Sequence, residues 1–336
     1  MRYRQLTPEI QVSEVGFGNW TVTTGWWGHY TEAEAVDLHR AAFDAGITFF
    51  DTADAYREGY AEQVLGKALA RVRDEIVIAT KFGYDISDES TASRRGQQER
   101  AKDFSIAGVR TALDESLTRL GVDHIDLWQL HNPRMAHIDD DSLFGLLRDL
   151  RAEGKIRAYG VALGPKIGWL EEGVHAMRSR RVPAMQMIYN VLEQDPGREL
   201  LATARETGTH MVVRVPHSSG MLEGNLTVDT VFPKHDHRRH RPHSWLVEGV
   251  QKVATLDFLT SDAGRTLGQA ALRWVLADDQ VATTLPNIYG PEQIAEFAGA
   301  SNVADLTAEE LARVAALYDD NFNVTPAADQ VTKVNA

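Results

Sequence analysis

Phe49-Phe-Asp51-Thr-Ala-Asp-Ala-Tyr56 decides the reading of this chain. It is an apolar, strand-like run that ends in an aspartate, and the turn after it delivers a tyrosine. Two further runs follow the same plan. Ile76-Val-Ile-Ala-Thr-Lys81 ends in a lysine, and Ile125-Asp-Leu-Trp-Gln-Leu-His131 ends in a histidine. Each run hands one titratable residue to its C-terminal end. Parallel strands closed into a barrel put those ends on one face, where such folds keep their chemistry. The pattern therefore predicts Asp51, Tyr56, Lys81 and His131 around one site.

Outward from these runs, strand and helix patterns alternate. Strands are expected at 15–18, 48–51, 76–80, 125–130, 156–161, 185–188, 211–215 and 281–285. Helices are expected at 32–45, with Thr31 as N-cap and Gly46 as stop, and at 62–71, 105–120, 142–153, 198–206 and 265–277. Another falls between the fifth and sixth strands. Eight strands separated by helices predict a parallel sheet closed as a (β/α)8 TIM barrel in one domain over 1–336. Residues 1–12 are expected as an N-terminal β-hairpin beneath it. An open doubly wound sheet is the rival, but no Gly-x-Gly-x-x-Gly follows the first strand. Loops at 85–103 and 225–244 exceed ordinary lengths, which marks them as functional or mobile.

Composition narrows the classes. The 336 residues are 43% hydrophobic, enough for a large core, and carry a net charge of −13. That charge argues against a nucleic-acid partner or a membrane surface. With no cysteine, disulfides, thiol nucleophiles and iron–sulfur ligation are excluded. Met1-Arg-Tyr-Arg-Gln-Leu lacks the apolar core of a signal peptide, and no apolar run is long enough to span a bilayer. A cytoplasmic protein is expected.

Chemistry follows from the four polar residues. A phenol has a pKa near 10, and an ammonium group beside it favours the phenolate. An aspartate holds that lysine charged and in place, and a histidine adds a second partner for the oxygen. Such a tyrosine donates a proton to a developing alkoxide and takes it back in reverse, a role worth roughly 10²–10⁴-fold in rate. None of these side chains supplies a hydride, so a carrier is required.

Here the chain resembles the aldo-keto reductase family along nearly its whole length. The resemblance rests on Gly16-Phe-Gly-Asn-Trp20, Phe50-Asp-Thr-Ala-Asp-Ala-Tyr56, Ala79-Thr-Lys-Phe-Gly83, Leu130-His131, Gln186 with Tyr189-Asn190, and Val215-Pro216 leading into Gly220-Met-Leu-Glu-Gly224. It implies a barrel oxidoreductase that reversibly transfers hydride from NADPH or NADH to an aldehyde or ketone, such as a sugar, keto-sugar, cyclitol ketone or small aldehyde. It implies Tyr56 as general acid, Lys81 and Asp51 as its tuning pair, and His131 as the residue orienting the carbonyl. Gln186, Arg214, Pro216, Ser218, Gly220, Leu222, Asn287, Gln293 and Phe297 fall at cofactor positions, and Trp20, Trp26, Tyr84 and Asn132 at substrate positions. Trp27 and Tyr30 lie in the same loops, as pocket walls or rim packing. A cofactor-binding regulatory subunit of the potassium-channel β type is the alternative function.

The chain also departs from the family. Gly160-Val-Ala162-Leu163 stands where members carry Ser-Asn for the nicotinamide carboxamide, and Arg214 where many carry a stacking tyrosine. The stretch from Leu285 to Phe297 has no cation for the 2′-phosphate of NADPH. Asn287 and Gln293 stand where basic residues are common, and Phe297 where an adenine-contacting asparagine is usual. Weak discrimination between NADP(H) and NAD(H) is therefore expected, with Arg238, Arg239, Arg241 or Arg265 as substitute anchors. His235, His237, His240 and His243 in the 225–244 loop resemble a metal cluster. Their cationic, cysteine-free surroundings disfavour a bound dication, and the resemblance implies a cofactor-side flap. A cofactor-facing or solvated loop without metal is expected, and a barrel lyase using a metal there lacks carboxylate ligands.

Overall fold

The computed structural model describes residues 1–87, 99–164, 169–261 and 264–325. Most of the long loop expected at 85–103 lies outside them. A hairpin comes first: β1 (Tyr3–Thr7) pairs antiparallel with β2 (Ile10–Ser13). Then come β3 (Phe17–Gly18), β4 (Phe49–Asp51), β5 (Val77–Phe82), β6 (Ile125–His131), β7 (Ile156–Ala162), β8 (Ala184–Ile188), β9 (His210–Arg214) and β10 (Val281–Leu285). These eight form one parallel sheet with neighbours in chain order. Val15 bridges in parallel to Thr284, with Gly16 N–H donating to Thr284 O at 2.9 Å, and this brings the two edges together. The architecture is a (β/α)8 barrel.

Alternation along each strand explains how the barrel fills. Side chains two residues apart share a face. The inward series starts apolar: Phe49, Val77, Ala79, Leu127, Ala158, Ala184 and Val212 form one buried cluster. Leu6, Ile10 and Val12 of the hairpin join it, so β1 and β2 plug the N-terminal end. One step further up, the same faces present Asp51, Lys81, Gln129, Gln186 and Arg214. The opposite faces, including Phe50, Ile78, Trp128, Leu130 and Met185, pack beneath the helices in a second cluster. A barrel plugged below and polar above has one chemically useful end.

Local signals set the helices. Thr31 and Glu34 form a capping box at the helix Glu32–Asp44, which satisfies its first free N–H groups. Ser105 caps Ile106–Leu120, and Gly121 ends it in the left-handed region at φ 68°. Asp140 caps Asp141–Ala152 through Ser142 N and Leu143 N. The helix expected at 62–71 runs instead over Tyr60–Leu69, because Gly59 turns the chain at φ 83°, and continues as a 3₁₀ segment, Ala70–Glu75. The one expected at 265–277 is trimmed to Leu267–Val275 by a capping box of Thr266 and Gln269. The helix His243–Ala254 adds an element at the end of the expected flap. No helix among the described residues is long and apolar enough to cross a membrane.

Candidate active site

Four strand ends converge on one buried ion pair. Lys81 Nζ lies 2.6 Å from Asp51 Oδ1, donates to Thr52 O at 2.7 Å, and reaches Tyr56 OH at 3.3 Å. Gln186 Nε2 donates to the other Asp51 oxygen at 2.8 Å, and Gln129 Nε2 does so at 3.3 Å. Lys81 is 1% and Asp51 4% exposed, so every partner matters. Burial works against the lysine charge, but Asp51 and the Tyr56 phenol outweigh it and raise the Lys81 pKa above its ordinary value. An ammonium held this firmly is a fixed positive charge on the phenol oxygen.

His131 completes the group. Its ring lies 6.1 Å from that of Tyr56, edge-on. Burial, reinforced by the cations Lys81, Arg214 and Lys102, pushes its pKa well below the usual histidine value. The imidazole is therefore neutral near pH 7, and its Nδ1 has no partner among the described residues. Tyr84 stands edge-on to it at 4.8 Å. Tyr84 OH accepts from Asn132 Nδ2 at 2.7 Å and donates to Glu99 at 2.9 Å. Lys102 in turn donates to Asn132 O. Asn132 thus holds Tyr84 edge-on against the His131 ring.

A cavity of about 440 Å³ opens above this group. Asp51, Tyr56, Lys81, His131, Asn132, Gln186, Arg214 and Asn287 line it, with Trp20 and Trp27 as its aromatic walls. Trp26 lines a neighbouring depression instead. Among the expected cofactor residues, Phe297 is buried with its ring 4.5 Å from His217, and Leu222 is fully buried, so both pack the core. Pro216, Ser218, Gly220 and Gln293 lie outside the lining. Arg214 donates to Leu163 O and Gly164 O at 3.2 and 3.0 Å. The segment that lacks Ser-Asn thus supplies carbonyls that fix this guanidinium. Ser219, from the run His217-Ser-Ser-Gly220 expected to suit a pyrophosphate, lines the cavity, and so do Ile188 and Glu193, which sequence reasoning did not single out. Glu193 could have been sought from the turn pattern, since Asn190 Oδ1 accepts from Glu193 N at 3.0 Å.

Beyond β9 the backbone is strained. Val215, Ser218 and Ser219 sit at φ 59°, 48° and 58°, a region costly for side-chain-bearing residues and especially for a β-branched one. Asn190 Nδ2 holds Val215 O at 3.0 Å, and Ser218 OH donates to Glu193 at 3.3 Å. The 225–244 segment crosses above as a strap. Arg238 stacks on Trp27 at 4.0 Å and Phe232 at 4.5 Å, and pairs with Asp236 at 2.6 Å. His237 N–H donates to Trp26 O at 2.9 Å. Arg241 lines the cavity, donates to Ser219 Oγ at 3.2 Å, and has a buried Nε without a partner among the described residues. Arg265 is committed to Glu310 and to backbone carbonyls. Among the described residues, no three histidines and carboxylates gather closely enough to hold a metal.

Comparison with known proteins agrees with this geometry. The sequence model of the Aldo/keto reductase family matches residues 14–319. The chain is 29% identical to the aldo-keto reductase YhdN of Bacillus subtilis, covering 80% of this chain and 78% of that one. It is 28% identical to the NADH-specific methylglyoxal reductase of Escherichia coli, covering 88% and 92%. Among solved structures, it is similar to the holo form of aldo-keto reductase AKR11C1 from Bacillus halodurans, with TM-score 0.75, 29% identity and coverage of 98% and 99%. The glycerol dehydrogenase AKR11B4 of Gluconobacter oxydans superposes with TM-score 0.81 at 26% identity, covering 97% and 98%. An eight-stranded barrel, a polar group at its C-terminal end and a match over nearly the whole chain lead to one conclusion: this protein belongs to the aldo/keto reductase family, whose members are oxidoreductases.

Proposed function

We propose that this chain is an NAD(P)H-dependent reductase of aldehydes or ketones, working reversibly, with Tyr56 as proton donor. The observation that carries this reading is the contact between the Lys81 ammonium and the Tyr56 hydroxyl at 3.3 Å on the cavity floor. The site suits a nicotinamide dinucleotide. Its cavity runs from Tyr56 past Arg214 to Ser219, Arg241 and Asn287, and the free Nε of Arg241 is a donor suited to a phosphate oxygen. Gln186 and Arg214 flank the nicotinamide end. When bound, the nicotinamide supplies the hydride.

The chain's own residues do the rest. The carbonyl oxygen of the substrate sits between Tyr56 OH and neutral His131, whose remaining N–H donates to it. As negative charge grows on that oxygen, the Tyr56 proton moves to it and the product is the alcohol. The electron pair left on the phenol faces the Lys81 ammonium, which Asp51 holds charged. Trp20 and Trp27 exclude water from one side. In the oxidative direction, the phenolate takes the alcohol proton back.

Cofactor choice follows from the β10 end. Asn287 lines the cavity and accepts from Thr21 Oγ1 at 3.2 Å, offering no charge. Hydrogen bonds to charged groups are worth about 1.5–3 kcal/mol. Lacking one or two, NADPH has a small advantage at most, and NADH serves as well. Following NADH and NADPH oxidation against small aldehydes, ketones and sugars tests the reading. Turnover that disappears in Tyr56→Phe supports it, and a protein that binds the cofactor yet turns over none of these compounds contradicts it.

A further inference from the structure

The floor of the cavity divides into two halves. Asp51, Lys81 and His131 come from β4, β5 and β6, and Tyr56 from the turn after β4. Ala162, Gln186, Ile188 and Arg214 come from β7, β8 and β9, with Ile188 opposite Arg214 in register. In the proposed reaction the first half holds the carbonyl oxygen. Reacting atoms must approach to about 3–3.5 Å, so the second half is left for the nicotinamide. Of its four residues only Arg214 is charged.

That charge has no counter-ion. No carboxylate lies within ion-pair distance of Arg214 among the described residues. Two neutral carbonyls hold its Nη2 instead, Leu163 O at 3.2 Å and Gly164 O at 3.0 Å. Lys81, by contrast, is neutralised by Asp51 at 2.6 Å. Glu193, the other carboxylate of the lining, accepts from Asn190 Nδ2 at 2.7 Å and Ser218 Oγ at 3.3 Å, and acts on Arg214 only through space. Desolvation lowers the Arg214 pKa, but a guanidinium stays protonated in proteins. Its field reaches across the floor, since Arg214 is among the cations that keep His131 neutral. Out of bulk water such a charge acts strongly on its neighbours.

We infer that Arg214 selects the redox state of the cofactor: its uncompensated charge admits the neutral ring of NADH and repels the cationic ring of NAD⁺. The inference rests on the carbonyl-reductase reading above and adds how the site treats the two forms of the carrier. A guanidinium plane stacks on a π-system, so the reduced ring gains a contact where the oxidised ring meets a like charge. The protein therefore loads with reduced cofactor and releases the oxidised form readily.

Binding without substrate tests it, with Kd values for NADH and NAD⁺, and for NADPH and NADP⁺, read from quenching of tryptophan fluorescence. The oxidised form should bind at least about tenfold more weakly in each pair, which about 1.4 kcal/mol of repulsion provides. In Arg214→Gln, with melting temperature checked, that ratio should fall at least about threefold. A second probe needs no variant: nicotinic acid adenine dinucleotide carries a ring carboxylate in place of the carboxamide. It should bind more tightly than NAD⁺, because the carboxylate offsets the charge of the ring. A smaller wild-type ratio overturns the inference, as does a smaller fall in the variant or an analogue that binds no more tightly than NAD⁺. In each of these cases the reductase reading stands. A protein that binds none of the four cofactors overturns both.

Discussion

At the residue scale, one buried contact network sets the chemistry and part of the stability. Lys81 and Asp51 are both desolvated, and each is the other's charge partner. Removing one partner of such a pair typically costs about 3–5 kcal/mol, because the other is left buried and uncompensated. Lys81→Met is therefore expected to lose activity and to unfold at markedly lower urea concentration, which denaturant titration measures. Tyr56→Phe removes only a hydroxyl at the cavity floor and should leave the unfolding midpoint nearly unchanged. Gln186→Leu withdraws the 2.8 Å bond to Asp51 and leaves Gln129 at 3.3 Å as its replacement. We expect a smaller loss of stability than for Lys81→Met, by the same titration. The gathering of Asp51, Tyr56, Lys81 and His131 was legible in sequence because each closes or follows an apolar run. The bracing by Tyr84, Asn132 and Glu99 was less so, because those contacts cross between loops whose approach no local pattern specifies. The same limit separates Trp26 from Trp27: neighbours in sequence, they face different hollows.

At the element scale, the strap is the least predictable part and the easiest to perturb. Its length marked it in the sequence, but its histidines drew attention that belongs to Arg238. That guanidinium stacks on Trp27 and Phe232, pairs with Asp236, and reaches Ser219 O at 3.4 Å. It ties the strap to the turns after β3 and β9. Arg238→Ala should release it, which limited proteolysis would show as faster cleavage within 225–242 without loss of the barrel. Replacing His235, His237 and His240 together should leave metal content unchanged from wild type. Stoichiometric zinc or nickel in the wild type, lost with activity in the triple variant, would contradict the metal-free strap. The turn after β10 makes the cofactor prediction. Side-by-side Kd values for NADH and NADPH should lie within about a hundredfold, at about 1.4 kcal/mol per decade. NADPH binding tighter than NADH by more than that would mean a phosphate anchor that the turn after β10 does not supply.

At the scale of the whole molecule, the barrel was legible because eight apolar runs alternate with well-capped helices, and a closed parallel sheet needs that alternation. Helix ends shifted where 3₁₀ turns or capping boxes took over, as at Ala70–Glu75 and Thr266. Packing also buries histidines in the neutral form. Burial lowers the pKa of His39 to about 4, opposed by its bond to Ala35 O, and that of His217 likewise to about 4. A folded-state pKa below the unfolded value of about 6.5 means the unfolded chain binds protons first. Their contribution is thus complete above about pH 6.5 and is lost as pH falls towards 4, worth about 2 kcal/mol per histidine between pH 7 and pH 5. Urea unfolding at the two pH values should show this loss, and His39→Gln should make the difference smaller. The central claim, however, is that the molecule reduces carbonyls with Tyr56 as acid. Its most direct test measures kcat, kcat/KM and cofactor Kd for wild type and Tyr56→Phe on one reducible aldehyde. The account predicts that kcat and kcat/KM fall together by roughly 10²–10⁴-fold while cofactor Kd stays within a few-fold. Activity retained within a few-fold of wild type would contradict it.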